Sequence, residues 1–178
     1  AASNTLYDVL VIGGGPAGST TATLLAQKGF RVVLLEKARH PRFHIGESLL
    51  PANLPLLDEL GVGEEVRAIG VPKYAAEFVS PWHEQGSQTF QFADAWDKSM
   101  PSAYQVLRSE FDEILIRNAE RKGAHVVEGC KVTGVDLDSN PDQIQATALH
   151  DDGSKSQWTA RFLVDASGRD TFLSNRFK

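Results

Sequence analysis

From Tyr7 to Ile12 the chain reads YDVLVI, a nearly continuous apolar run that stops at three glycines, which predicts a strand buried on both faces. Small and apolar side chains then recur through residues 16 to 28 (Ala17, Ala22, Leu24, Leu25, Ala26) and end at Gly29, so a helix with a glycine stop follows. Arg31 to Leu35, RVVLL, is the second apolar run and the second strand. A strand, a helix and a strand within about 30 residues make a crossover unit, right-handed as nearly all such units are. Parallel strands with a crossover helix place the chain in the α/β class.

Regularity lapses after Glu36. Residues 37 to 48 are basic and mixed and contain Pro41, the pattern of a loop running over the surface or a ligand. Helical spacing returns from Leu49 to Leu60. Residues 70 to 104 hold three prolines and two tryptophans among short alternating stretches such as Gln88 to Phe92, which predicts strands of a separate sheet. Ser109 and Asp112 have capping-box spacing, and Phe111, Ile114, Leu115 and Ala119 continue a helix as far as Gly123. His125 to Glu128 is a short strand. Period-two alternation in Lys131 to Asp138, Gln143 to Leu149 and Lys155 to Thr159, broken by Ser-Asn-Pro-Asp and Asp-Asp-Gly turns, predicts a three-stranded antiparallel meander. Arg161 to Asp165, RFLVD, reads as one more buried strand, entering a second small-residue turn at Ala166-Ser167-Gly168. The expected partition is residues 1–70 and 105–178 for the main domain, with 71–104 inserted. Ala1 to Asn4 begin without methionine and are set aside as a processed end.

Composition narrows the function classes. With 42% hydrophobic and 23% charged residues the proportions are those of a globular protein, so a packed core is expected rather than disorder. A net charge of −5 without a basic stripe argues against a nucleic-acid partner. No apolar run approaches the roughly 20 residues of a spanning helix and no signal peptide opens the chain. Stable membrane insertion is therefore not expected, and a cytoplasmic location is. The single cysteine, Cys130, excludes an intrachain disulfide, fits a reducing compartment and reads as a small buried residue. Histidines at 40, 44, 83, 125 and 150 lack zinc-ligand spacing, and no metal site is expected. Trp82, Trp96 and Trp158 are either packing residues or the lining of a pocket for an aromatic substrate.

Chemistry enters at the first turn. Gly13-Gly14-Gly15-Pro16-Ala17-Gly18 satisfies G-x-G-x-x-G, the pattern required where phosphate oxygens approach a backbone that any Cβ would shield. Because the motif closes a strand and opens a helix at about Pro16 and Ala17, unpaired N–H groups and the positive dipole end face a diphosphate. Glu36, at the end of the second strand, is placed to accept hydrogen bonds from a ribose 2′-hydroxyl, which favours NAD or FAD over NADP.

Four segments carry a resemblance: VIGGGPAGSTTATLLA with Glu36, RFHIGESLLP at Arg42 to Pro51, YQVLRSEFDEIL at Tyr104 to Leu115, and LVDASGRDTFL at Leu163 to Leu173. Together they resemble the FAD-binding segments of flavoprotein monooxygenases, and among these the flavin-dependent halogenases and their halogenase-like relatives. The glycine motif is widespread; its combination with IGESLLP and DASGR is specific. The resemblance spans nearly the whole chain and implies a Rossmann-like FAD-binding fold with a parallel sheet, an antiparallel β-meander and part of an inserted substrate-domain sheet. It implies FAD as cofactor, with Lys37, Arg42, Arg108, Val132 and the turn Asp165-Ala166-Ser167-Gly168 in contact with it. Gly46, Glu47 and Ser48 are implied to lie near the flavin ring and pyrophosphate. Local chemistry keeps other readings open: Arg108 as a surface ion pair, Asp165 as a cap, Gly46 to Ser48 as an ordinary helix N-cap, Arg42 and His44 as solvated loop charges.

Lys73, in Val71-Pro72-Lys73-Tyr74-Ala75-Ala76-Glu77-Phe78, resembles the halogenase lysine that meets hypohalous acid and directs it to the substrate. An amine suits that role by hydrogen bonding or by forming an N-halogen adduct. Ala75-Ala76-Glu77 departs from the small residues common in the family, and a solvated strand lysine is the other reading. The expected function is the FAD-binding part of a monooxygenase that uses reduced flavin and oxygen on halide or an organic substrate. The substrate class is a small molecule, aromatic or carrier-bound. A geranylgeranyl-reductase-like enzyme or an aromatic hydroxylase would share these segments, and a non-catalytic dinucleotide-binding module is the reading from another class. With one dinucleotide fingerprint in the chain, a separate flavin reductase is the expected source of reduced cofactor. The Gly-Asp segment that completes the flavin site in the family does not occur before Lys178, so an N-terminal part of a longer enzyme is expected.

Overall fold

The computed structural model describes residues 5–82, 84 and 86–176; the processed end expected at residues 1–4 and His83 of the histidine set lie outside the described residues. In chain order the elements are β1 (Leu6–Ile12), α1 (Pro16–Gln27), β2 (Val32–Glu36), α2 (Asn53–Leu60), α3 (Gly63–Ile69), β3 (Val71–Lys73), β4 (Ala75–Val79), β5 (Ser87–Gln91), β6 (Ala103–Gln105), α4 (Arg108–Arg121), β7 (His125–Glu128), β8 (Cys130–Asp136), β9 (Ile144–His150), β10 (Lys155–Asp165) and α5 (Phe172–Arg176). Residues up to Phe43 with those from Asp112 onward form one compact unit, and His44–Phe111 form another.

The first unit is built on a six-stranded sheet of order β7-β2-β1-β10-β9-β8. β7, β2, β1 and β10 run parallel, whereas β10, β9 and β8 are antiparallel. On one face Val9, Val11, Val32 and Leu34 pack with Ala22 of α1 and with Ile116 and Ala119 of α4. On the other face Leu10, Ile12, Val33 and Leu35 pack with Cys130, Val132 and Val135 of β8 and with Ala146, Ala148 and Trp158. The meander thus curls back over the parallel strands where a second helical layer would otherwise lie. Both faces of β1 and β2 are covered, which is why neither strand alternates. α1 turns Gly18, Ser19, Ala22 and Thr23 to the sheet, side chains small enough for a close approach.

The three-stranded meander expected from the alternation differs in its last strand. The third meander strand and the RFLVD strand are a single 11-residue strand, β10. Its first part, Lys155 to Ala160, pairs with β9; Thr159 to Asp165 pairs with β1. No strand among the described residues pairs with the other edge of Arg161 to Asp165. That stretch is accordingly exposed or half-buried, with Phe162 68% exposed, not buried as its composition implied.

The interposed unit begins earlier than residue 71 because the chain before α2 is tied to β6. Leu49 N–H donates to the Tyr104 carbonyl, Val106 N–H to the Glu47 carbonyl, and Ser48 bridges Gln105. This pairing also delays the helix expected from Leu49: α2 starts at Asn53, whose side-chain oxygen accepts from Leu50 N–H at 2.9 Å. Residues 70 to 104 form two two-stranded sheets, β3 with β6 and β4 with β5. α4 begins at Arg108, which puts Ser109 inside the helix rather than at its cap.

Candidate functional site

Gly13 N–H donates to the Leu35 carbonyl and Ala166 N–H to the Ile12 carbonyl, both at 2.9 Å. The glycine turn and the Asp165–Gly168 turn therefore lie side by side at the C-terminal ends of β1 and β10, where open α/β sheets bind ligands. Three glycines of the turn answer to three different demands. Gly13 has φ +101°, and a Cβ there would strike the Ala166 carbonyl. A Cβ on Gly18 would strike the Gly13 carbonyl, so α1 could not sit as close to β1. Gly15 is different: its φ of −71° and ψ of −175° suit any residue, and the nearest atom to an added Cβ is Arg42 Nη2 at 3.7 Å. Neither conformation nor packing calls for glycine at 15, whereas a ligand drawn against the backbone does. Gly18→Ala is accordingly expected to lower the melting temperature by about 5 °C, the consequence of overpacking by about 1–3 kcal/mol in a chain of this size. Thermal unfolding followed by circular dichroism reads it.

α1 presents Gly15 as its N-cap and Pro16 at its first position, with no side-chain cap and no acid in the first turn. Its leading N–H groups are thus left for an anion. Arg42 stands beside them. Its Nε is buried without a hydrogen-bond partner among the described residues, and its Nη2 lies 3.6 Å from Oδ2 of the fully buried Asp112. Glu36 is 4% exposed, accepting from Gly14 N–H at 2.5 Å and from Ala38 N–H at 2.8 Å. Each of its carboxylate oxygens keeps lone pairs for a further donor. An uncapped helix end, a glycine that neither conformation nor packing requires and a buried guanidinium N–H with no acceptor among the described residues together fit a diphosphate, with a ribose at Glu36. The sequence marked Asp112 only as the second residue of a capping-box spacing with Ser109; in the structure it is the buried carboxylate facing Arg42.

Other expected cofactor residues have partners of their own. Lys37 pairs with Asp170, and the lysine ammonium holds that carboxyl below its usual range. Val132 is 6% exposed, its side chain taken up by the core. Asp165 accepts from Ser167 N–H at 3.0 Å and from Leu173 N–H at 2.8 Å, while Ser167 Oγ accepts from Phe172 N–H at 3.0 Å. Burial pushes the Asp165 carboxyl up, but these donors outweigh it and hold the group low. Asp165 and Ser167 therefore tie the start of α5 to the turn, and Gly168 follows at φ +66°.

Behind the glycine turn, Glu128 collects three donors. His40 N–H and His40 Nδ1 reach Oε1 at 2.6 and 2.8 Å, and Arg117 Nη2 reaches Oε2 at 2.7 Å. Burial raises the Glu128 pKa, but the His40 backbone and the Arg117 and His40 side chains together outweigh it, and the net shift is downward. A carboxylate held lower in the folded than in the unfolded chain stabilises fully above the unfolded value and loses that contribution as pH falls through the folded one. Glu128→Gln is expected to cost about 2 kcal/mol near neutral pH, the range of charge-assisted hydrogen bonds. The difference from the parent protein should shrink on acidification from pH 4.5 downward. Urea unfolding at a series of pH values checks both.

In the interposed unit, Gly46 has φ +104°, and Arg108 Nη1 donates to the Ile45 and Gly46 carbonyls at 2.9 and 3.2 Å. Arg108 thus braces the Gly46 turn. Glu47 is half-buried and Ser48 exposed. Lys73 is not a solvated strand lysine: its Nζ donates to Ser48 Oγ and to the Leu49 carbonyl, and stands 5.4 Å from the centroid of Phe92. In the sequence Phe92 was marked only as the end of the alternating Gln88–Phe92 stretch, with nothing to pair it with Lys73. Trp82 and Trp96 are fully exposed. Trp158 follows the packing alternative: it is a core residue that donates to Ser156 Oγ at 2.8 Å. Cys130 is buried, and burial pushes its thiol up. Among the described residues there is no group of three potential metal ligands and no helix long and apolar enough to cross a membrane.

A family model described as an FAD binding domain matches residues 6–177. Tryptophan 2-halogenase of Chondromyces crocatus is 41% identical over 170 residues, covering 95% of this chain and 31% of the relative. Among solved structures, the myxobacterial chondrochloren halogenase CndH, an FAD-dependent halogenase, superposes with a TM-score of 0.81 at 41% identity over 92% of this chain and 37% of that one. A flavoprotein/dehydrogenase of Cytophaga hutchinsonii superposes with a TM-score of 0.87 at 36% identity over 97% of this chain and 42% of that one. The chain spans about a third of the length of the curated relatives it matches.

Proposed function

This chain belongs to the FAD binding domain family, and we propose that it is the cofactor-holding part of a halogenase-like monooxygenase acting on a small aromatic molecule. FAD is the cofactor the family binds; reduced and in the presence of oxygen, it supplies a two-electron oxidant for halide. The chain's own residues hold and orient. The Gly15 region and the leading N–H groups of α1 bind the diphosphate, Arg42 offsets its charge, and Glu36 accepts from a ribose hydroxyl. The Asp165–Gly168 turn flanks the glycine turn from the adjacent strand. Gly46, Glu47 and Ser48 serve the flavin-ring end, with Arg108 as their brace. Lys73 donates a hydrogen bond to hypohalous acid and directs it to the substrate. Reduced flavin comes from a separate reductase, in keeping with the one dinucleotide fingerprint at Gly13–Gly18.

Gly15 carries the cofactor reading, because among the described residues neither backbone conformation nor packing calls for a glycine there. The likeness to tryptophan 2-halogenase supports halide oxidation and an aromatic substrate. The likeness to a flavoprotein/dehydrogenase favours a second reading, flavin-dependent oxidation or reduction without halogen transfer. Reconstitution with FAD is expected to give bound flavin with bands near about 370 and 450 nm. Turnover with reduced flavin, oxygen and bromide or chloride then yields a halogenated aromatic product. Both measurements use the full-length enzyme that contains this chain: there, failure to retain any flavin sinks the cofactor reading, and retained flavin with an oxidised or reduced but halogen-free product gives the case to the second one.

A further inference from the structure

We propose that Ser48 is a positioning residue for Lys73, fixing the direction of one of its three N–H bonds; the inference rests on the reading of Lys73 given above. β6 is flanked by β3 and by the Glu47–Leu49 stretch, with Lys73 opposite Ala103 and Ser48 opposite Gln105. Ala103 and Gln105 are two apart on one strand, so their cross-strand partners project from the same face. That register sets the lysine and the serine side by side although they come from separate segments.

The three acceptors around the ammonium are not equivalent. Two are fixed by the backbone: the Leu49 carbonyl, 2.7 Å from Nζ, belongs to a residue whose own N–H is bonded to Tyr104, and the Phe92 ring hangs from a residue whose N–H is bonded to the Tyr74 carbonyl. Ser48 Oγ is the third, on an exposed residue, and it is the one acceptor whose proton can rotate. A polar ligand can therefore take over the Ser48 position while the carbonyl and the ring keep the ammonium in place. In the absence of such a ligand, Ser48 keeps that N–H aimed outward. Without the hydroxyl, a flexible four-carbon side chain has only two anchors and its head group samples more directions.

Competitive acetylation of the folded protein, read lysine by lysine by peptide mass spectrometry, tests this with exposed Lys28 and Lys122 as internal references. Ser48→Ala is expected to raise the labelling rate of Lys73 about threefold relative to both references, the effect of one ordinary hydrogen bond. Ser48→Thr, which keeps the hydroxyl, is expected to restore the parent rate, and Ser48→Val, of the same shape without it, to behave like alanine. Equal Lys73 labelling in the threonine and valine variants, or an unchanged rate in alanine, overturns the proposal. These outcomes are independent of turnover: a fully active Lys73→Ala enzyme would dismiss the role of the lysine without altering what acetylation reports about Ser48.

Discussion

Gly15→Ala is expected to weaken FAD binding about 100-fold, or ~2.7 kcal/mol, while lowering the melting temperature by no more than about 3 °C. The expectation follows from what surrounds the position. Alanine can adopt the observed φ and ψ, and its methyl would meet only a guanidinium nitrogen at 3.7 Å. The cost to the fold is then the few tenths to one kcal/mol that separates glycine from alanine at an N-cap. In the complex, the same methyl stands where phosphate oxygens must reach the backbone N–H groups of α1, and it holds them off. Gly13→Ala and Gly18→Ala should behave in the opposite sense, since their clashes are with the protein's own backbone carbonyls. Fluorescence titration of the apoprotein with FAD, beside thermal unfolding of the three variants, separates the two kinds of glycine. Unchanged affinity in Gly15→Ala would remove the observation on which the cofactor site rests.

Lys73→Ala is expected to reduce halogenated product about 1000-fold with flavin affinity within about threefold of the parent enzyme, because a positioned donor in the transition state contributes on the order of 10² to 10⁴. The lysine's neighbours are a hydroxyl, a carbonyl and an aromatic face, and none of the three can donate a charge-assisted hydrogen bond in its place. Arginine is not a substitute: its planar fork does not match one hydroxyl, one carbonyl and one ring. Lys73→Arg should therefore fall with alanine rather than with the parent. Product analysis by mass spectrometry, with peroxide release measured alongside, distinguishes loss of halogen transfer from loss of oxidant production. Full halogenation by Lys73→Ala would assign the lysine to bracing the Ser48–Leu49 stretch.

Much of the fold was legible because its cues are local. YDVLVI and RVVLL are apolar without alternation, which a strand shows when both faces are covered, and the first helix, the His125–Glu128 strand and the hairpin turns declared themselves in the same way. Where local cues misled, a partner distant in sequence was responsible. β10 changes neighbours along its length, from β9 to β1, so one strand looked like an alternating strand followed by an apolar one. Leu49 looked helical, but its N–H is claimed by Tyr104.

Residue type and spacing alone were enough to locate the glycine turn and the acid at the end of β2 and to point to a dinucleotide cofactor, because steric access and backbone donors are local properties. Which glycines the fold itself demands is visible only in three dimensions, since Gly13 and Gly18 are constrained by carbonyls that folding brings to them and Gly15 is not. The tertiary structure alone decided that Arg42 faces Asp112, that Asp165 secures α5 and that Lys73 meets Ser48. Periodicity records which side of an element is buried; the identity of what it is buried against depends on strand order and register, which no short stretch of chain contains.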